Sequence, residues 1–266
     1  MILNKFLPFS DHFKPGALSI RLLAFCLISF FSCNKTANIN GNKSFVALTH
    51  LAYGVGAIQL SLNGKPVFPD SLSFGKTTGY DGNPYDTTIS QVSLMKIYLA
   101  GDTSVNVSGN AAFRQGGQYS IFFFDSLDYR SVSLIILQDN PTIRTDTFTY
   151  YRYMNFSPGD TLWGLKLINN RKDNPYAADT VVIQPRLFVG FNNIPSAYPI
   201  NNLIRSGNYK VFAFRDSSNP APDRSNFDSL GNFQIDSMVN YNIYLQGFYG
   251  DTLTANKFQL QCKALN

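Results

Sequence analysis

The chain has 266 residues, with 22 Lys and Arg against 17 acidic residues and a formal net charge of +5. The basic residues are scattered rather than clustered, which argues against a nucleic-acid surface. Every acidic residue is aspartate and only His12 and His50 are histidines, so the chain lacks the best helix-forming acid and is poor in proton-transfer groups.

Lys5, Lys14 and Arg21 precede an apolar run, Leu22–Cys33, that turns polar at once in Asn34-Lys35-Thr36. This is the layout of a secretory signal, and the run is too short for a spanning helix. Its end, Phe31-Ser32-Cys33, resembles a bacterial lipoprotein signal, in which the cysteine receives lipid and becomes the new N-terminus. An ordinary cleaved signal with a chance cysteine is the alternative. The expectation is a signal peptide over residues 1–32, lipid attachment at Cys33 and a flexible tether over 33–43, which holds almost nothing to bury. Maturation would remove Cys26 and spend Cys33, leaving Cys262 alone and no disulfide within the chain. Cys262 shares strand parity with Phe258 and Leu260, which predicts an inert thiol packed in a core.

Abundant Tyr, Phe, Val, Ile and Thr, with Asp and Asn in place of Glu, predicts strands joined by turns. Ser44–Thr49 reads as a first strand. Ala57–Leu62 alternates cleanly and ends in Asn63-Gly64, a strong hairpin signal because a type I′ turn needs positive φ twice. Lys65–Phe68 returns, with Pro66 marking an edge strand. Asp70–Asp86 reads as a loop. Strands resume at Ser93–Leu99, Ser104–Val107, Tyr119–Phe124 and Ser133–Leu137. Polar Asn140–Asp146 is the expected domain boundary. Thr147–Asn155, Leu162–Ile168, Thr180–Val189, Asn208–Phe214, Asn232–Asp236, Tyr241–Gly247 and Lys257–Lys263 complete the strands, with a loop at Asn219–Asp228. No segment shows helical periodicity.

The two parts of the chain repeat one another. Lys96-Ile97-Tyr98 matches Lys210-Val211-Phe212, and Tyr119-Ser120-Ile121-Phe122-Phe123 matches Tyr241-Asn242-Ile243-Tyr244-Leu245. Phe113 and Ile235 each sit six residues before those tyrosines. Upstream, His50-Leu51-Ala52-Tyr53-Gly54 corresponds loosely to Asn155-Phe156-Ser157-Pro158-Gly159. A duplicated β-sandwich accounts for the pattern, with repeats over residues 44–140 and 141–266. Val46-Ala47-Leu48-Thr49-His50 with Ile58–Gly64, Tyr153-Met154-Asn155-Phe156-Ser157-Pro158, and Gly117-Gln118-Tyr119 together resemble the secreted family called domain of unknown function 4397. The second copy departs from it at Val239, and the first at Ala52-Tyr53. The resemblance implies tandem immunoglobulin-like β-sandwiches in envelope or secreted proteins, and it implies no activity.

Candidate chemistry is sparse. His50 is the one histidine outside the signal, at a turn that the second copy fills with Asn155; this points to a side chain bonding local backbone rather than moving protons. No Gly-rich phosphate loop or Cys/His metal spacing is present, so no cofactor or metal is expected. The Asp/Asn loops near Asp81, Asp173 and Asp223 lack the order of a calcium loop. Aspartate often precedes Ser or Thr, as in Asp70-Ser71-Leu72 and Asp228-Ser229-Leu230; this is either a turn-then-strand habit or an O-glycosylation motif of some Gram-negative envelope proteins. Most aromatics, including Trp163, follow strand alternation into cores. Loop tyrosines Tyr80, Tyr85, Tyr176 and Tyr198 are the candidate exposed platform for a ligand.

The expected protein is all-β and non-enzymatic. It would be an outer-membrane lipoprotein, on the periplasmic face rather than the cell surface, acting as a binding or structural module on glycan or protein partners. A surface hydrolase or carbohydrate-processing accessory protein is the alternative.

Overall fold

The computed structural model describes residues 43–78, 84–86, 92–102, 105–125, 132–139, 148–159, 162–169, 180–191, 194–215, 227–251 and 257–265. They belong to one compact unit, Gly41–Asn266. Among them there are sixteen strands, two short 3-10 turns and no α-helix. The first eight are β1 (Lys43–Leu51), β2 (Ile58–Leu62), β3 (Lys65–Pro66), β4 (Pro84–Asp86), β5 (Val92–Leu99), β6 (Val105–Ala112), β7 (Gln118–Asp125) and β8 (Val132–Asp139). The second eight are β9 (Phe148–Phe156), β10 (Trp163–Asn169), β11 (Thr180–Arg186), β12 (Asn202–Arg205), β13 (Gly207–Arg215), β14 (Phe227–Ile235), β15 (Asn240–Gln246) and β16 (Gln259–Leu265).

The strands form four four-stranded sheets, and the second pair repeats the first. Orders β4-β1-β7-β8 and β3-β2-β5-β6 recur as β12-β9-β15-β16 and β11-β10-β13-β14, each strand advanced by eight. The repeat extends to register. β1 and β7 run parallel with Val46 opposite Tyr119, and β9 and β15 run parallel with Tyr151 opposite Tyr241. The β5–β6 ladder slips between Ile97 and Tyr98, and the β13–β14 ladder slips at the matching place, between Val211 and Phe212. Tyr119 and Tyr241 each accept, through the phenol oxygen, a backbone N–H five residues upstream, from Arg114 at 2.7 Å and Asp236 at 3.0 Å. The strand order differs from that of immunoglobulin domains, in which the first two strands share a sheet; here β1 and β2 lie in opposite sheets.

Each half, residues 43–139 and 148–265, encloses a core. Val46, Leu48, Leu60, Ile97, Ile121 and Phe123 anchor the first. Tyr153, Trp163, Leu165, Val211, Ile243 and Leu245 anchor the second. Cys262 packs against the second core, and burial pushes its thiol up to about 12. Asn63 (φ 51°) and Gly64 (φ 78°) close the β2–β3 hairpin, and β3, carrying Pro66, is an edge strand as its proline predicts. Two short edge strands, β4 and β12, were not among the strands read from the sequence. They lie at matching positions in the two halves. The expected boundary at Asn140–Asp146 lies outside the described residues.

A third cluster joins the halves. The faces of β7 and β15 turned away from their own cores meet: Phe122, Phe124, Leu137, Met154, Phe156 and Tyr244 form one apolar layer. Phe122 stacks on Phe156 with centroids 4.9 Å apart and meets Tyr244 edge-on at 5.5 Å. Beside it lies a buried polar network. Arg152 pairs with Asp139 and donates from Nε to Asn242 Oδ1, Ser120 Oγ donates to Asp139 at 2.8 Å, and Asn242 Nδ2 donates to Ser120 Oγ at 2.8 Å. Ser120 and Asn242 are equivalent positions of the two copies. The chain is therefore four layers deep, its two middle sheets buried on both faces, which is why β7 reads Gln-Tyr-Ser-Ile-Phe-Phe-Phe-Asp and is buried from Tyr119 through Asp125.

Candidate functional site

Near the ends of β1 and β15, backbone turns leave aromatic rings at the rim, Tyr249 exposed and Tyr53, Phe74 and Phe248 half-buried. β1 runs into Tyr53-Gly54, the covering loop carries Phe74-Gly75, and β15 leads through Gly247 to Phe248-Tyr249-Gly250. The glycines that follow Tyr53, Phe74 and Tyr249 have φ of 67°, 72° and 83°, a region that costs glycine nothing and other residues strain. The chain can thus reverse immediately after a bulky ring and leave that ring at the rim.

The rings fall into two groups joined by the Phe248-Tyr249 step of the backbone, together called the row. Tyr53 meets Phe74 at 4.7 Å and Phe248 at 4.3 Å, so the row crosses from the first half to the second. Tyr249, 49% exposed, meets Trp163 at 5.0 Å and Phe258 at 5.7 Å. The exposed guanidinium of Arg215 lies 3.6 Å from the Tyr249 ring centroid and 4.9 Å from that of Trp163. Arg215 is the cross-strand partner of Trp163, and directly opposed residues share a face of the sheet, so Arg215 covers Trp163 of the second core.

The base under this row is made of backbone-bonding side chains. His50, fully buried, accepts the Ala52 N–H at Nδ1 (3.3 Å) and bonds the Gly56 carbonyl through Nε2 (3.0 Å), which fixes the Nε2–H tautomer. Burial lowers its pKa. Asn155 does the same in the second half: Oδ1 accepts the Ser157 N–H at 3.0 Å and Nδ2 donates to the Arg186 carbonyl at 3.0 Å. Both side chains clamp the residue two positions on, so the loose upstream match in the sequence is a structural equivalence. With both ring nitrogens engaged by backbone, His50 has no position from which to take a substrate proton. The Asp125 carboxylate accepts the Tyr53 N–H at 2.5 Å, and burial raises its pKa to about 6. Among the described residues, no group of three His, Cys, Asp or Glu is placed to hold a metal.

The expected tyrosine platform is not gathered here. Tyr198 is buried, 4% exposed, so it is no part of an exposed surface. The 3-10 turn Pro195–Ala197 turns its ring into the layer between the halves, with the Arg186 guanidinium 5.5 Å from the ring centroid. Tyr80, Tyr176 and Cys33 lie outside the described residues, and Tyr85 is described only as backbone of β4. The row that is present, Phe74, Tyr53, Phe248 and Tyr249 with Arg215, was not singled out in the sequence. Its signal is an aromatic-Gly pair in a tight turn, at Tyr53-Gly54, Phe74-Gly75 and Tyr249-Gly250.

The fold and this rim define a duplicated β-sandwich with an aromatic surface row. No protein-family model matches the chain, and no curated protein proved similar to it.

Proposed function

We propose that this chain is a non-enzymatic lipoprotein of a bacterial cell envelope. Cys33 carries the lipid, the body is held at the outer membrane on its periplasmic face, and it works as a binding or structural module on glycan or protein partners. The resemblance to domain of unknown function 4397 supports the envelope setting. The observation that carries the binding reading is the aromatic row, because it is assembled from both halves on a base that is rigid by construction: two sheets buried on both faces, with His50, Asn155 and Asp125 fixing the turns. Rings held on such a base lose little freedom on binding, which favours affinity. The engagement of both His50 nitrogens by backbone weighs against a hydrolase built on that residue.

The anchor is tested by detergent phase partitioning of the native protein and of Cys33→Ser. The native protein should enter the detergent phase and the variant the aqueous phase, whereas native protein found wholly in the aqueous phase would remove the anchor. The module is tested by screening the native protein against glycans and envelope-protein extracts, with Tyr249→Ala alongside. Retention that the substitution weakens supports the row as the binding surface; retention untouched by it places binding elsewhere.

A further inference from the structure

The geometry points to an acidic glycan as the occupant of this row, specifically a polysaccharide bearing uronic-acid carboxylates; this rests on the binding reading above. Three features lead there. First, Arg215 is exposed and prearranged, its guanidinium stacked on Tyr249 at 3.6 Å, which leaves the in-plane N–H edge as its free hydrogen-bonding direction. A guanidinium fork matches the two oxygens of a planar carboxylate, and stacking on a ring removes much of the freedom it would lose on binding. Second, among the described residues no carboxylate pairs with Arg215. The Asp125 carboxylate turns inward to the Tyr53 N–H. Third, the row is flanked by further cations. Lys257 is exposed beside Phe248, to which its backbone bridges, and Lys76 is exposed two residues from Phe74.

Aromatic rings offer apolar faces and edges to the C–H faces of pyranose rings. Tyr249 would meet a sugar with the part of its ring that Arg215 leaves open, and the half-buried Tyr53 and Phe248 with their outer edges, while Arg215 takes a carboxylate and the two lysines add a screened attraction. A neutral glycan would use the rings and leave the guanidinium idle. An acidic peptide would use the cations and leave most of the ring faces idle.

The test uses the native full chain in detergent and two forms of one polymer: polygalacturonate, and the same polymer with its carboxylates methyl-esterified. Binding is followed by calorimetry at low and high salt, and circular dichroism confirms that each variant is folded. The inference expects binding of the acid form, about tenfold or more weaker binding of the ester, and weakening by salt. Arg215→Gln should cost the acid form about tenfold and leave any binding of the ester unchanged. Arg215→Lys should fail to restore it, because an ammonium neither stacks nor forks. Equal binding of acid and ester would overturn the acidic-ligand inference while keeping a glycan module. Binding of neither form would overturn the inference and leave the broader binding reading to the screen above. Undiminished binding of the acid form by folded Arg215→Gln would remove Arg215 from the site.

Discussion

Replacing Asp125 by Asn isolates what a single desolvated charge costs this fold. The carboxylate is 5% exposed, and its described partner is the Tyr53 N–H at 2.5 Å. That bond favours the charged form, yet burial outweighs it and the pKa rises from 3.8 to about 6. A group whose folded pKa lies above its unfolded value binds more protons when folded, so it favours the native state at low pH and opposes it once pH passes the folded pKa. The rise of about two units would correspond to about 3 kcal/mol at neutral pH. The effective dielectric around a buried group is well above that of a dry interior, so about 1–2 kcal/mol is the working expectation. Asparagine keeps an oxygen for the Tyr53 N–H and carries no charge. In urea denaturation, Asp125→Asn should be more stable than the parent by about 1–2 kcal/mol at pH 7.5, and the gap should close to a few tenths near pH 4. A gap that is the same at both pH values, or a variant less stable at pH 7.5, would refute the reasoning.

The layer between the halves gives a second expectation. Arg152→Ala leaves the Asp139 carboxylate buried without its cation and should cost about 3–5 kcal/mol, whereas Arg152→Met with Asp139→Leu should recover most of that loss in the same denaturation assay. The third concerns His50. His50→Asn keeps the clamp on the Ala52 N–H, as Asn155 does on Ser157, but falls short of the Gly56 carbonyl, and should cost about 1 kcal/mol; His50→Leu orphans both backbone groups and should cost about 2 kcal/mol or more. Because burial lowers the His50 pKa below its ordinary 6.5, the unfolded chain takes up the proton first. His50 therefore withdraws stability as pH falls below 6.5, the opposite sign to Asp125, and a variant lacking His50 should lose that acid sensitivity.

Much of the fold was legible in the sequence because outer strands alternate. Ile58, Leu60 and Leu62 mark one face of β2, and Asn63-Gly64 with Pro66 named both the hairpin and the edge. The duplication was readable where core positions repeat, as in Tyr119 and Tyr241 with Phe113 and Ile235. The four-layer arrangement was harder to see, since a strand buried on both faces loses its period: Ile121-Phe122-Phe123-Phe124 serves two cores at once. Strands β4 and β12 escaped because three or four residues carry no periodicity. The tyrosine platform was sought in long loops, while the ring row sits in tight turns, where the glycine after each ring is the informative residue. Tyr198 reads as a loop residue, but the 3-10 turn before it aims the ring inward, and no pattern in Ile194–Pro199 marks that direction. The strand order, with β1 and β2 in opposite sheets, follows from long-range pairing and not from local sequence.

The central claim is that the two sandwiches are one body, so that the rim they share is rigid. Differential scanning calorimetry of the protein with Ile121→Ala, in the first core, and Ile243→Ala, in the second, tests it most directly. Each substitution should destabilise by about 2–5 kcal/mol. If the halves are fused through Phe122, Phe156, Tyr244 and the Arg152 network, the parent melts in a single transition and each variant lowers that same transition. Two transitions, one moved only by Ile121→Ala and the other only by Ile243→Ala, would contradict the account.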